Sequence, residues 1–501
     1  NAEGFAQTVT FNRSESGMLS YVGRVNYSYD DKYLFEFMLR SDASAKFAPQ
    51  NYWGMFPSWS AGWVISDEKW FDKDKTKIDF LKIRGSFGIL GKDNVNARLW
   101  TQLYTRNPDK GPIFGTNSST NTSATIRMPK QGVNPDVHWD KTYKTNFGID
   151  MAFLKNRMSA NLDFYYDMGR EMFASHQGTS YYPNTVGIQP APENFGEVDT
   201  YGVELSLGWK DKIGKDMSYW VKLTTGYNDN KIRETGWKAA YDFDKLVRNE
   251  RSDRGLWGYE CIGMFRSYQE INEYFDKYSI TKYLGNTKEN VHPGMLIYKD
   301  VRGQYDESTG TFGPADGIVD EQDYIKISHR ASNPYGGTLN FGFSYKDFSI
   351  SAQFGASWGA YSLVPTTMRK ESYSEYSNVS AMWKDMFVYE DIYDANNIVT
   401  VAQNRNAKYP NIRYSSVNGA PSTFWKVSAA TVQLRNMTVA YALPKEWLKI
   451  IGISSCRFNL TCQNVFNFLN PYPEGAWASW AGSYGYYPNL RKFTLGVNVS
   501  F

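Results

Sequence analysis

Along much of this chain, apolar and polar residues alternate with a period of two. In the closing F-T-L-G-V-N-V-S-F, Phe493, Leu495, Val497, Val499 and Phe501 share one parity, and Thr494, Gly496, Asn498 and Ser500 share the other. Successive side chains of a strand point to opposite faces, so the pattern predicts a strand with one greasy and one polar side. The same grammar recurs. In Y-V-G-R-V-N-Y-S-Y, Tyr21, Val25, Tyr27 and Tyr29 oppose Arg24, Asn26 and Ser28, and in K-Y-L-F-E-F-M-L-R the aromatic parity opposes Glu36 and Arg40. Y-K-T-N-F-G-I-D-M-A-F and M-S-A-N-L-D-F-Y-Y repeat it on either side of L-K-N-R. Y-G-V-E-L-S-L-G-W, V-K-L-T-T-G-Y, L-N-F-G-F-S-Y, F-S-I-S-A-Q-F, V-Q-L-R-N-M-T-V-A-Y and C-R-F-N-L-T-C-Q continue it. With weaker segments near 5 to 12, 59 to 66 and 82 to 89, the pattern predicts about 14 strands.

The connections alternate in length. Short links near 30 and at 67 to 81, 154 to 156, 210 to 218, 346 to 347 and 442 to 454 interleave with longer ones. The longer ones are 42 to 58, 90 to 142, 168 to 200, 228 to 337, 357 to 430 and 464 to 491. A sandwich has no reason to confine its long loops to one end, whereas an up-and-down antiparallel barrel in a membrane does so. Each basic residue on the lipid side at mid-bilayer would cost about 2 to 4 kcal/mol, so the polar parity must face the lumen.

Composition sharpens this all-β reading. Aromatic residues make up 17% of 501 residues, with 37 Tyr, 30 Phe and 16 Trp. Tyr and Trp at strand ends fit the girdles that mark membrane interfaces. No run approaches the roughly 20 apolar residues of a membrane helix, but spanning strands need only about 9 to 11. The 55 basic and 52 acidic residues give a net charge of +3 without a long single-sign run, which argues against a nucleic-acid partner. Cys456 and Cys462 sit about 20 Å apart on one strand, too far to pair within it, and with Cys261 read as structural thiols. The opening A-Q-T-V-T-F-N already reads as strand with no signal peptide before it, so the expectation is residues 1–501 as the C-terminal part of a longer precursor.

Several stretches together resemble the SusC-like (SusC/RagA) branch of the TonB-dependent outer-membrane transporters. They are G-R-V-N-Y-S-Y-D-D-K-Y-L-F-E (23 to 36), R-S-D-A-S-A-K-F (40 to 47), W-G-M-F-P-S-W-S-A-G-W-V-I-S-D-E (53 to 68) and L-K-I-R-G-S-F-G-I-L-G (81 to 91). Later come N-F-G-E-V-D-T-Y-G-V-E-L-S-L (194 to 207), G-M-F-R-S-Y-Q-E-I (263 to 271), P-G-M-L-I-Y-K-D (293 to 300), D-G-I-V-D-E-Q-D (316 to 323) and C-Q-N-V-F-N (462 to 467). The resemblance implies a plugged barrel of about 22 strands, of which this chain would hold the last 14 or so. It further implies a SusD-like surface lipoprotein as lid and energy from TonB through an N-terminal region not in this sequence. The terminal Phe501 looks like the signal read by the barrel-assembly machinery. The expected role is active import of an oligosaccharide. Oligopeptides are the alternative, since the RagA branch is associated with them. A soluble or surface-anchored glycan-binding or adhesion module is a reading from a different class.

The long connection 228–337 carries one motif with its own chemistry. D-G-I-V-D-E-Q-D supplies Asp316, Asp320 and Asp323 at the spacing of the second half of a calcium loop, with Asp300 as the first ligand. The family pattern is uninterrupted, whereas here Arg302 replaces Asn and Q-Y-D-E-S-T-G-T-F-G-P-A is inserted after Gly303. A structural Ca²⁺ is the expectation, against an acidic surface turn. For a ligand, the last long connection offers Trp477, Trp480, Tyr484, Tyr486 and Tyr487, whose flat rings can stack on sugar faces. Trp100, Trp139, Trp257 and Trp383 in other long connections are weaker candidates of the same kind. No G-x-S-x-G, H-E-x-x-H or P-loop occurs, and His138, His176, His292 and His329 are scattered, so no enzyme is expected.

Overall fold

The computed structural model describes residues 16–102, 104–107, 125–127, 132–174, 190–235, 248–306, 308–370, 380–450, 452–469 and 490–501. Thirteen strands form one antiparallel wall in which every strand pairs with its neighbours in sequence. They are β1 (Met18–Tyr29), β2 (Tyr33–Ser44), β3 (Trp53–Val64), β4 (Ile78–Lys92), β5 (Asp140–Phe153), β6 (Met158–Ala174) and β7 (Glu193–Ile213). β8 (Met217–Glu234), β9 (Tyr335–Tyr345), β10 (Phe348–Trp358), β11 (Thr431–Ala442), β12 (Ser455–Asn467) and β13 (Lys492–Ser500) complete it. The fourteenth expected strand, near 5 to 12, lies outside the described residues.

Register holds the expected faces together. Leu162 lies opposite Leu205, Leu207 opposite Leu223, Val221 opposite Phe341 and Leu460 opposite Leu495. One parity therefore presents a continuous apolar band, edged by ring pairs such as Tyr335 stacked on Trp358 at one end and Tyr33 on Trp63 at the other. In β11 the alternation breaks because Arg435 is an extra residue between the Gln353–Asn436 and Phe354–Leu434 pairs. The bulge puts Leu434 and Met437, an odd spacing, on the same face.

Several connections are shorter than expected because the strands run on, and that expected at 168 to 200 is reduced to the residues between Ala174 and Glu193. The link expected at 42 to 58 shrinks to the eight residues between Ser44 and Trp53, because both strands keep pairing past the apolar band. β7, at 21 residues, is about twice what a bilayer requires. Above the band its lipid-side parity turns polar. Asp199 is buried beneath Tyr166, Arg170 and Arg233: Tyr166 and Arg233 donate to Oδ2 at 2.6 and 2.5 Å, and Arg170 forms an ion pair with Oδ1 at 2.7 Å. On β8, Asp229 accepts from Arg330 at 2.6 Å and from Tyr227 at 3.0 Å.

Two long connections fold into each other. Residues from the β8–β9 connection (Tyr259, Phe265, Phe275, Tyr283, Leu296, Tyr298, Val319) and from the β10–β11 connection (Phe387, Ala407, Val417, Ala420) share one buried core. Val364, Met368, Met382, Trp383 and Trp425 form a second cluster beside it. The fully buried Asn418 knits the two connections together. Its Oδ1 accepts from Leu296 N at 2.8 Å, and its Nδ2 donates to Gly294 O at 3.0 Å and Asn411 O at 2.8 Å. Gly294 (φ +92) is required here, since a Cβ would fall 2.7 Å from Phe387. Tyr283 donates to Leu296 O at 2.5 Å and Tyr298 donates to Val417 O at 2.9 Å. Burial pushes both phenols far above their ordinary range, which keeps them neutral donors.

Two outcomes follow. Leu205→Arg, on the lipid face mid-strand, should cost about 2 to 4 kcal/mol in denaturant unfolding from lipid vesicles, whereas Ser206→Arg on the lumen face should cost far less. Asn418→Ala leaves the buried Leu296 N–H without its partner, at about 1 to 3 kcal/mol, while Gly294 O and Asn411 O each lose one of two donors and keep Asn411 N and Tyr414 N. Hydrogen exchange in residues 259–298 and 387–425 should rise while the wall strands keep their protection.

Candidate functional site

The lumen-facing parity is lined with charge. Arg84 of β4 sits between two carboxylates, with Nε 3.1 Å from Asp150 Oδ2 and Nη2 2.7 Å from Asp163 Oδ2. Its Nη1 donates to Asn146 Oδ1 at 3.2 Å, and Asn161 Nδ2 donates to Asp150 Oδ1 at 2.7 Å. The cluster spans β4, β5 and β6, whose even, even and odd positions the register brings to one face. Gly148 makes room for it, since a Cβ there would lie 2.4 Å from Arg84 Cζ. Arg24 pairs with Glu36 on one side, and Lys144 meets Asp167 at 2.7 Å on the other.

Three grooves run in series along this inner face. The first, about 550 Å³, is lined by Asn26, Glu36, Lys82, Arg84 and Asn146. The second, about 500 Å³, shares Glu36 and Asn146 and adds Lys144, Tyr165, Asp167 and Glu204. The third, about 430 Å³, continues from Tyr165 and Glu204 to Thr224, Asn228 and Arg435. Such a wall offers hydrogen-bond donors and acceptors and charges of both signs to whatever occupies the lumen. Sequence reading assigned these residues to the lumen but did not single them out, because a charge on a polar parity looks the same whether it stands alone or in a cluster.

The acidic turn lies in the shared lobe, beside the parallel pairing of Lys282–Tyr283 with Ile318–Val319. Asp323 is fully buried, and three backbone donors serve it: Val301 N at 2.7 Å and Arg302 N at 3.1 Å on Oδ1, and Asp320 N at 3.0 Å on Oδ2. Burial nonetheless holds its carboxyl above the ordinary range, and Asp300 pushes it the same way. Asp300 Oδ2 accepts from Gly317 N at 2.7 Å. Gly317 takes φ +79, where a Cβ would fall 2.6 Å from Ser279 O. Asp316 and Asp320 turn to their own backbone, accepting from Ile318 N at 3.0 Å and Gln322 N at 2.8 Å. The structure thus brings Asp300 and Asp323 together and directs the other two elsewhere. Among the described residues, no three His, Cys, Asp or Glu side chains converge as a metal would require.

The remaining candidates divide. Trp477, Trp480, Tyr484, Tyr486 and Tyr487 lie outside the described residues. Trp139 and Trp383 are core residues, packed with Phe47 and Phe56 and with Met368 and Trp425 respectively, which removes them as ligand rings. Trp257 is half-buried, with the Lys326 ammonium 5.2 Å from its ring. Phe501 follows β13 and is exposed. The three cysteines are free thiols.

No protein-family model matches the chain. Among curated proteins it is 24% identical over 518 residues to "TonB-dependent receptor P39" of Formosa agariphila, covering 96% of this chain and 46% of that protein. It is 26% identical over 503 residues to "TonB-dependent receptor SusC" of Bacteroides thetaiotaomicron, covering 97% and 44%. The chain thus spans less than half the length of these relatives. Among solved structures, the RagAB peptide transporter superposes with a TM-score of 0.69 at 20% identity over 97% of this chain and 48% of that one, a likeness of fold. Both curated relatives are named as receptors. By its family-ordered motifs, its sequentially paired wall and these chain-long similarities, the protein is similar to the SusC-like TonB-dependent receptors over nearly its whole length and has the wall of an outer-membrane β-barrel.

Proposed function

We propose that the full-length protein imports an oligosaccharide across the outer membrane, driven by TonB and closed by a SusD-like surface lipoprotein. The observation that carries this reading is the pairing of a charged, grooved inner wall with a packed lobe built from two connections at one end of the barrel. A wall of alternating donors and acceptors suits a hydroxyl-rich cargo. Arg84, fixed between Asp150 and Asp163, is a preorganised element of that path. The aromatic run Trp477, Trp480, Tyr484, Tyr486 and Tyr487 adds rings able to stack on sugar faces with little entropic cost.

Calorimetry on the full-length receptor, purified with its lipoprotein, against oligosaccharides and short peptides tests this. Saccharide binding should weaken about tenfold or more, roughly 1.4 kcal/mol, when Trp477 and Trp480 are both changed to Ala. Binding to peptides alone would discard the glycan reading and leave those tryptophans as scaffold.

A further inference from the structure

The acidic turn departs from the family pattern at Arg302, and the structure gives that side chain a job. Its Nε donates to Gln322 O at 2.5 Å, and its Nη2 donates to Tyr324 O. The guanidinium lies 3.7 Å from the centre of the Phe312 ring. Phe312 belongs to the inserted segment, where Tyr305–Asp306 pairs with Thr311–Phe312 and Tyr305 packs edge-on to Phe312 at 5.0 Å. Gly303 N to Gly313 O and Gly313 N to Gln304 O, both at 3.0 Å, close the base of that hairpin. The two departures from the pattern, the arginine and the insertion, therefore meet in one contact.

In a loop of this type, a calcium ion offsets carboxylate charge and ties backbone carbonyls to one centre. A guanidinium can do both, with a permanent charge and five donors in a planar fork. Each of the four carboxylates already accepts from the backbone, and the oxygen left buried without a hydrogen-bond partner is Asp300 Oδ1. Asp323 is served on both oxygens by backbone N–H groups, Asp316 and Asp320 accept from their own turn, and a divalent ion entering beside Arg302 would meet a fixed positive charge.

We propose that Arg302, covered by Phe312 of the insertion, is a built-in substitute for a divalent ion, and that this turn is ordered without metal. The inference is independent of what the protein transports.

The test uses the full-length receptor in detergent. After dialysis against EDTA and then against calcium chloride, metal analysis should find no stoichiometric calcium in either sample. Hydrogen exchange over residues 300–325 should be the same in both. Arg302→Met, which keeps the length and removes the charge and donors, should speed exchange in that segment about tenfold or more. Added calcium should not restore it. One equivalent of retained calcium, faster exchange of the unaltered protein in EDTA, or unchanged exchange in Arg302→Met would each overturn the proposal. The first two need no variant to fold.

Discussion

Inside hydrocarbon there is no water to satisfy a backbone N–H or C=O, so each must find a partner on a neighbouring strand. The rest of the wall follows from that requirement. Pairing each of 13 strands with its neighbours satisfies the backbone and forces side chains to alternate between lipid and lumen. Once alternation is forced, one parity has to be apolar and the other is free to carry charge. The Arg84 cluster exists because three adjacent strands each place a polar residue at the same height on the free side. The bulge at Arg435 shows how tightly the rule holds: one extra residue is accommodated by switching the parity of the hydrophobic positions beyond it.

Above the membrane the same pairing continues under different energetics. Water can now solvate the backbone, and the lipid-side parity no longer has to be apolar. Asp199 and Asp229 appear there, the first held by two arginines and a tyrosine hydroxyl, the second by one arginine and a tyrosine hydroxyl. Beyond the strand ends, the two largest connections solve their burial problem jointly. Neither the segment around Tyr259 to Val319 nor that around Phe387 to Ala420 encloses its apolar residues alone, and Asn418 supplies polar closure across their shared core. Arg369 plays a similar part in the smaller cluster, donating from a buried position to Val364 O at 2.6 Å and Gly419 O at 2.5 Å.

The wall was legible in the sequence because a period of two is imposed on every strand by the same constraint. Expected and observed strands coincide from Met18 to the C-terminus, and departures arise where the constraint lapses: the pairing that continues through Ser41 to Ser44, and the polar stretch near Asp199. The lobe was not legible, because its order comes from contacts between segments far apart in sequence, which no local period records. Trp383 reads as a loop tryptophan until Met368 and Trp425 are seen against it. The acidic turn was half legible. Spacing located Asp300, Asp316, Asp320 and Asp323, but not the backbone donors that occupy them or the inward course of Arg302.

The shared core has a consequence for the order of events in biogenesis. Cys261 N donates to the Thr423 hydroxyl at 2.9 Å across a separation of 162 positions, and the hairpin of β9 and β10 lies between them in the chain. The first connection leaves the ribosome with Phe265, Tyr283 and Leu296 as exposed side chains, and their cover, Phe387 to Ala420, is synthesised later. Until both connections reach the same side of the membrane, that apolar surface has no intramolecular partner. The lobe is therefore a late-closing part of a protein whose wall can zip in sequence, and its apolar half must be kept from aggregating through the interval.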